Sequence, residues 1–165
     1  MRKNKRGILG FIFAIVILFA LAVVILIGAK LASEFSDALG GSDLMGDRGK
    51  NVMTGILDKY NTLFDYAFLA MLVLFWAATI ISVFFLDTHP IMFAISLLML
   101  LFVFICAAVF SNVFYEVAMS SSLRGEAAQF PILMSIMNNY LVIAIFMGFS
   151  MLGAMYAKSK FGGGA

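Results

Sequence analysis

Four long apolar stretches dominate the pattern of hydrophobic and polar positions along the chain. The first covers residues 7–29 without a charge, and the others cover residues 66–86, 91–115 and 132–157. About 20 apolar residues in an α-helix cross a hydrocarbon layer of about 30 Å. The pattern therefore predicts four transmembrane helices. Runs of this length without inside–outside alternation are not typical of barrel strands.

The segments between these stretches are polar. They are predicted to form a basic tail at 1–6, an outer loop at 30–51, a tight turn at 87–90, a second outer loop at 116–131, and a tail rich in basic residues and glycine at 158–165. Residues 52–65 place apolar side chains at helical spacing, which predicts an amphipathic helix leading into the second span. This helix is expected to lie in the membrane interface or on the ends of the other spans. The predicted fold class is an all-α integral membrane protein.

Composition and charge support this class and suggest an orientation. Hydrophobic residues make up 64% of the chain, more than one globular core can bury. Lysine and arginine occur in both tails, so an even number of spans places both termini on the cytoplasmic side. Eight of the nine acidic residues lie in 30–65 and 116–126, the segments predicted to be outside. A net charge of +2, carried by scattered residues, gives no sign of a nucleic-acid-binding domain.

The turn between the second and third spans contains the one histidine of the chain, in the sequence Asp87, Thr88, His89, Pro90. Aspartate or threonine can cap the third helix, and proline suits its first turn. With one histidine and one cysteine, Cys106, the usual zinc ligand sets cannot form within one chain. No catalytic, cofactor or metal site is predicted. A weaker hypothesis is that His89 contacts a partner or a phosphate at the membrane surface.

Few polar residues lie inside the predicted spans, and the two groups that contain asparagine have the most weight among them. Because spans three and four run antiparallel, we expect them to meet as an interhelical polar clamp made of Ser111, Asn112, Asn138 and Asn139. The alternative is that these asparagines line a permeation path. No acidic, basic or histidine residue lies within a span, which argues against a pump, a proton-coupled transporter or a redox carrier. No small-molecule substrate is evident.

Small residues recur in the fourth span at a spacing that permits close helix approach. They are Ala144, Gly148, Gly153 and Ala157. The surfaces they form are expected to pack within the bundle or between copies. Self-association or contact with other membrane proteins is therefore predicted, in addition to contact with the lipid bilayer.

Three stretches carry a resemblance to a known group of proteins. They are LDTHPIMF at 86–93, FSNVFYE at 110–116 and FPILMSIMNNYL at 130–141. Together they resemble small multi-span membrane proteins of tailless, membrane-containing icosahedral phages, relatives of the corticoviruses with double jelly-roll capsids. The resemblance covers about residues 50–158.

The resemblance implies a structural protein of a virion internal membrane, located before assembly in the host bacterial inner membrane. Such a protein would stabilise or curve the bilayer and link it to the capsid through outer loops 30–51 and 116–131. Its basic tails would make weak contact with the genome. Two other functions stay open: a holin-like or channel-forming oligomer, and an accessory subunit of a cellular membrane complex. A membrane enzyme is disfavoured because paired catalytic groups are missing.

Overall fold

The structure is almost entirely α-helical where it is described. This computed structural model describes residues 6–40, 46–84 and 90–161. Its helices are α1 (Arg6–Gly40), α2 (Asp47–Phe84), α3 (Pro90–Ala118), α4 (Arg124–Ala127), α5 (Pro131–Asn138) and α6 (Tyr140–Phe161). No strand occurs in these three ranges. Four of the helices, α1, α2, α3 and α6, are long and apolar enough to cross a membrane.

The four long helices pack as a bundle with the cyclic order α1, α2, α6, α3. Helices α2 and α3 follow each other in the chain but occupy opposite corners, as do α1 and α6. The short helix α5 contacts α1, α2 and α3, and α4 packs on α1. Helix α4 therefore lies at the end of the bundle where α1 finishes and α2 begins, which we call the α4 end, and α5 leads from there into the bundle.

Helix α1 has a continuous buried face. Its buried side chains recur every three or four residues, the spacing that places side chains on one side of an α-helix. They are Phe11, Ala14, Ile15, Leu18, Ala22, Ile25, Leu26 and Ala29. The opposite face of α1 is apolar but exposed, with Phe13, Val16, Ile17 and Val24 among its residues. A helix with apolar residues on all sides can pack against the bundle interior with one face and contact lipid with the other.

Aromatic ring pairs join three of the four sides of the bundle. They are Phe19 with Phe110 between α1 and α3, Trp76 with Phe146 between α2 and α6, and Phe104 with Phe149 between α3 and α6. On the fourth side, between α1 and α2, the helices approach closely at Gly28, where an added Cβ would lie 3.0 Å from the Tyr60 hydroxyl oxygen.

Helices α1 and α2 extend beyond the boundaries expected from the sequence. Residues 30–40 continue α1 where the outer loop 30–51 was expected. Residues 52–65 are part of the same unbroken helix as the second span. The physical reason is that the two helices stay paired past the apolar stretch: Ser33, Thr54 and Leu57 line one shared cavity. A polar, glycine-containing composition had suggested a loop, but pairing between helices favours continued helix.

Other boundaries also differ from the expected ones. The outer loop 116–131 contains the end of α3 and the single turn α4, and the fourth span 132–157 is divided into α5 and α6. Asn139 separates them, with φ −105° and ψ 22°. Of the predicted turn, Asp87, Thr88 and His89 lie outside the described residues, and Pro90 is the first residue of α3.

The four small residues of α6 have different surroundings. Ala144 and Gly148 are buried, Ala157 is half-buried and Gly153 is exposed. A Cβ on Gly148 would lie 2.7 Å from Leu100 Cδ1 and 3.1 Å from the Phe104 ring. Gly153 has open space at the same position. Within one chain, Gly148 is therefore the glycine that allows α6 to approach α3.

We expect the substitution Gly148→Leu to destabilise the bundle by about 1–3 kcal/mol, because the added side chain has to displace Leu100 and Phe104. Gly153→Leu makes the same chemical change at an open position and serves as the matched control. The measurement is the free energy of unfolding in micelles. Equal stabilities of the two variants would contradict the close approach of α6 to α3.

Candidate functional site

Asp65 is the one acidic or basic side chain that is buried among the described residues, with 4% of its surface exposed. Its carboxylate accepts a hydrogen bond from the Ile132 backbone N–H at 3.0 Å and another from the Leu133 backbone N–H at 2.7 Å. These N–H groups belong to the first turn of α5, after Pro131. They have no partner within their own helix, so Asp65 caps α5 from a different helix.

The local sequence explains why α5 takes its cap from α2. The residue at the cap position is Phe130, which makes no capping hydrogen bond and is fully buried in the core. Pro131 follows it and has no N–H of its own. A carboxylate near the positive end of the helix dipole is also electrostatically favourable. Asp65 therefore meets both the hydrogen-bonding and the charge requirements of α5.

Asp65 and α5 meet within the depth of the apolar stretch of α1. Phe19 stacks on Phe110, and the Tyr140 hydroxyl donates to the Ile15 carbonyl oxygen at 2.5 Å. Ile132 lies eight residues before Tyr140, which places it about 12 Å from Ile15 along the bundle at a rise of 1.5 Å per residue. This level corresponds to about residue 23 of α1. The Asp65 cap is therefore an internal contact of the bundle.

The four residues predicted to form a polar clamp line one groove. The groove has a volume of about 480 Å³ and lies between α3 and the α5–α6 junction, with Ser111, Asn112, Asn138 and Asn139 among its lining residues. Ser111 Oγ donates to the Met137 carbonyl oxygen at 2.8 Å, with the Asn138 carbonyl oxygen 3.3 Å away. Asn139 Nδ2 donates to the Ser135 carbonyl oxygen of its own segment. The contact between the helices is thus made by a hydroxyl and backbone carbonyls.

The two remaining amides of this group are exposed. The side chains of Asn112 and Asn138 lie at the bundle surface. Neither amide has a hydrogen bond to the described residues. Ser111 instead binds carbonyl groups beside the break at Asn139, where the helical pattern is interrupted. Of the four residues, Ser111 and Asn139 form side-chain hydrogen bonds within the chain, each to a backbone carbonyl oxygen, and Asn112 and Asn138 form none with the described residues.

A second polar cluster lies at the α4 end. Ser33 Oγ donates to Glu126 Oε1 at 2.6 Å, and Asn61 Nδ2 donates to Gln129 Oε1. These side chains border a cavity of about 240 Å³ between α1, α2 and the α4 region, which Thr54 and Asp58 also line. The cluster joins the connection after α3 to both long helices. It explains how residues 124–129 stay fixed on the bundle.

The chemistry of these sites is that of hydrogen bonding between helices. In the described ranges, no group of three or more histidine, cysteine or acidic residues is placed to hold a metal ion. Cys106 is half-buried in α3. Ser120 and Ser122 lie near one another, and the described bases closest to them in sequence are Glu116 and Glu126. The arrangement can fix helix positions and present polar groups to a partner.

Sequence reasoning missed Asp65 and Tyr140 as contact residues. The sequence pattern singled out neither residue: Asp65 is the last residue of the 52–65 amphipathic segment, and Tyr140 lies within the predicted fourth span. A signal for Asp65 was present, since Phe130 and Pro131 begin a helix without a capping side chain nearby. Tyr140 has no comparable local signal, because its partner is a backbone carbonyl oxygen 125 residues away.

We expect Asp65→Asn to lower the free energy of unfolding by about 1–3 kcal/mol. The neutral amide oxygen accepts a weaker hydrogen bond than the carboxylate does, and the amide NH2 group is a donor that would face a backbone N–H donor. Asp58→Asn, an exposed position on the same helix, is the matched control and should change stability little. Unfolding in micelles gives the stability. Hydrogen exchange of the Ile132 and Leu133 amides should rise in Asp65→Asn alone. Unchanged exchange at both amides would show that Asp65 does not cap α5.

Comparisons with known proteins add no relative to these observations. No protein-family model, no curated protein and no solved structure matches the chain. The resemblance to virion membrane proteins therefore stays a prediction.

Proposed function

We propose that α1, α2, α3 and α6 span a bilayer, with both chain termini on the cytoplasmic side and the α4 end on the other side. The support for insertion is the length of the four helices and their exposed apolar faces, which lipid would cover. The support for the orientation is the placement of basic residues in the sequence, just before the start of α1 and at the end of α6, because α1 begins and α6 finishes at the end of the bundle opposite α4. Lys158 and Lys160, in the last turn of α6, belong to this basic end.

We further propose that the protein has a structural function: it stabilises the bilayer and links it to a protein layer on the α4 side. The observation that carries this proposal is the continuation of α1 and α2 past the apolar stretch. Residues 30–40 and 47–58, which we call the α1–α2 extension, are helical and add about 15 Å at a rise of 1.5 Å per residue. Headgroups add only about 5–8 Å on each side of the hydrocarbon. The tip of the extension would therefore stand clear of the lipid.

The surface of the α1–α2 extension suits contact with protein. Its exposed large apolar side chains are Leu31, Phe35, Val52 and Ile56. Between them lie exposed charges of both signs, such as Glu34, Asp47 and Lys50. Apolar groups flanked by mixed charges are typical of protein interaction sites on otherwise polar surfaces. The resemblance implies that the contacted layer is a capsid, that the bilayer is a virion internal membrane, and that the basic tails face the genome.

The packing of the bundle favours a structural function over conduction by one chain. Its interior is filled by fully buried side chains from several helices, including Leu18, Leu26, Phe68, Phe114 and Leu133. A holin-like or channel-forming protein would need several copies to enclose a path. The groove lined by Asn112 and Asn138 is the observation that favours this second function, since several copies could direct these amides toward a shared centre. Conductance of the purified protein in a planar bilayer would support it.

The orientation predicts a specific labelling pattern. In a Cys106→Ala background, a cysteine at Asp47 should react with a membrane-impermeant maleimide added to spheroplasts, and a cysteine at Lys160 should react only after lysis. Both positions are exposed in the structure, so the difference reports the side of the membrane. The reverse pattern would contradict the proposed orientation. Equal labelling before lysis would contradict a single orientation.

The linking function predicts where the protein cross-links to its partner. After flotation of native membranes on a density gradient, an amine-reactive cross-linker should join the exposed Lys50 and Lys59 to a capsid protein. Lys160, exposed at the other end, is the internal control and should not form these links. Links to subunits of a cellular membrane complex would favour the accessory-subunit function. If Lys50 and Lys59 form no more links to other proteins than Lys160 does, a link on the α4 side is contradicted.

A further inference from the structure

The groove between α3 and the α5–α6 junction has polar groups that the chain itself leaves unpaired. Ser111 and Asn139 form hydrogen bonds within the chain. Asn112 and Asn138 are exposed, and no described residue accepts or donates a hydrogen bond with their side-chain amides. Each amide offers two N–H donors and a carbonyl acceptor. The groove therefore has free hydrogen-bonding capacity for a second molecule.

These two amides lie near the middle of the apolar stretch of the bundle. Asn112 follows Phe110 by two residues, and Phe110 stacks on Phe19. Asn138 precedes Tyr140 by two residues, and Tyr140 bonds to the Ile15 carbonyl. At a rise of 1.5 Å per residue, Asn112 lies about 3 Å along the axis from the Phe19–Phe110 contact, and Asn138 lies about 3 Å from the Tyr140–Ile15 contact. Both are therefore within a few residues of the level of Leu18, the midpoint of the 7–29 stretch.

If the bundle spans a bilayer as proposed above, lipid tails surround this level and cannot form hydrogen bonds with an amide. Unpaired polar groups in hydrocarbon are costly, and asparagines in transmembrane helices usually bond across to another helix. The missing partner must therefore present polar groups at the same depth. The rim of the groove consists of the exposed apolar side chains Val109 and Val142, and Ala108 leaves space for close approach.

We propose that the partner in this groove is a second copy of the chain, joined by hydrogen bonds among the Asn112 and Asn138 amides of both copies. A two-fold axis parallel to the bundle places the same residues of two copies at equal depth. Because Asn112 and Asn138 differ by only about 6 Å along the axis, the amides of the two copies come within reach of one another. Carboxamides are self-complementary, since each is both donor and acceptor. This interface rests on membrane insertion as proposed above, but not on the contact made by the α1–α2 extension.

Cysteine cross-linking in native membranes tests the position of the interface. In the Cys106→Ala background, Val109→Cys should form a disulfide-linked dimer on mild oxidation, because disulfides require Cα atoms within about 7 Å. Leu74→Cys is the matched control: it is exposed on α2, the corner opposite α3, and should stay monomeric. A Val109→Cys yield no higher than that of Leu74→Cys would overturn the proposal.

Loss of the amides tests the hydrogen bonds. The double variant Asn112→Leu with Asn138→Leu should have a dimer dissociation constant about tenfold higher than the wild-type protein. The measurement is energy transfer between labelled copies in vesicles of phosphatidylethanolamine and phosphatidylglycerol. Tyr66→Leu, exposed on α2, should leave association unchanged. Circular dichroism checks that the variants are folded.

Two results of the same experiments would overturn the proposal. One is unchanged association of the double asparagine variant. The other is a wild-type protein that is monomeric and retains bound phospholipid, if the double variant loses that phospholipid. A lipid would then be the occupant of the groove. Failure of the extension cross-links would leave the dimer intact, so the two proposals can be judged separately.

Discussion

The bundle depends on the hydrogen bonds between the Asp65 carboxylate and the first turn of α5. Two backbone N–H groups and one negative charge would each be costly inside an apolar bundle. Together they satisfy one another, and the helix dipole adds a favourable term. The contact fixes where the last part of the chain enters the bundle. From there, Ser111 holds the other end of α5 through the Met137 carbonyl, so α5 is positioned at both ends.

The position of α5 in turn determines the packing of α6. Tyr140, the first residue of α6, is fully buried and donates to the Ile15 carbonyl across the interior. About one turn further, Ala144 faces the core, and about one turn after that Gly148 does, where the missing side chain admits Leu100 and Phe104. Polar contacts thus define the register along α5 and at the start of α6, and side-chain volume defines it further along α6, at Gly148.

The number and place of the long helices could be predicted from the sequence, because about 20 consecutive apolar residues have few other structures available. The length of the α1–α2 extension could not, because glycine, serine and aspartate near 33–51 are typical of loops and pairing between helices outweighed that preference. The group formed by Ser111, Asn112, Asn138 and Asn139 was located by counting residues along antiparallel helices. Which of them bond to backbone depends on a break at Asn139 that no local pattern indicates. The Asp65 cap joins Asp65 to Ile132 and Leu133, which lie 67 and 68 positions later in the chain.

The corner order α1, α2, α6, α3 has a consequence for how the chain is made. Helices α1 and α2 are neighbours and emerge first, so they can pair during synthesis. Helix α3 emerges next, yet its corner is diagonal to α2, and the places beside it are taken by α1 and the later α6. Long-range closure of this kind is slow compared with hairpin formation. A folding intermediate that contains only α1, α2 and α3 would therefore leave open the side of the bundle where α6 belongs.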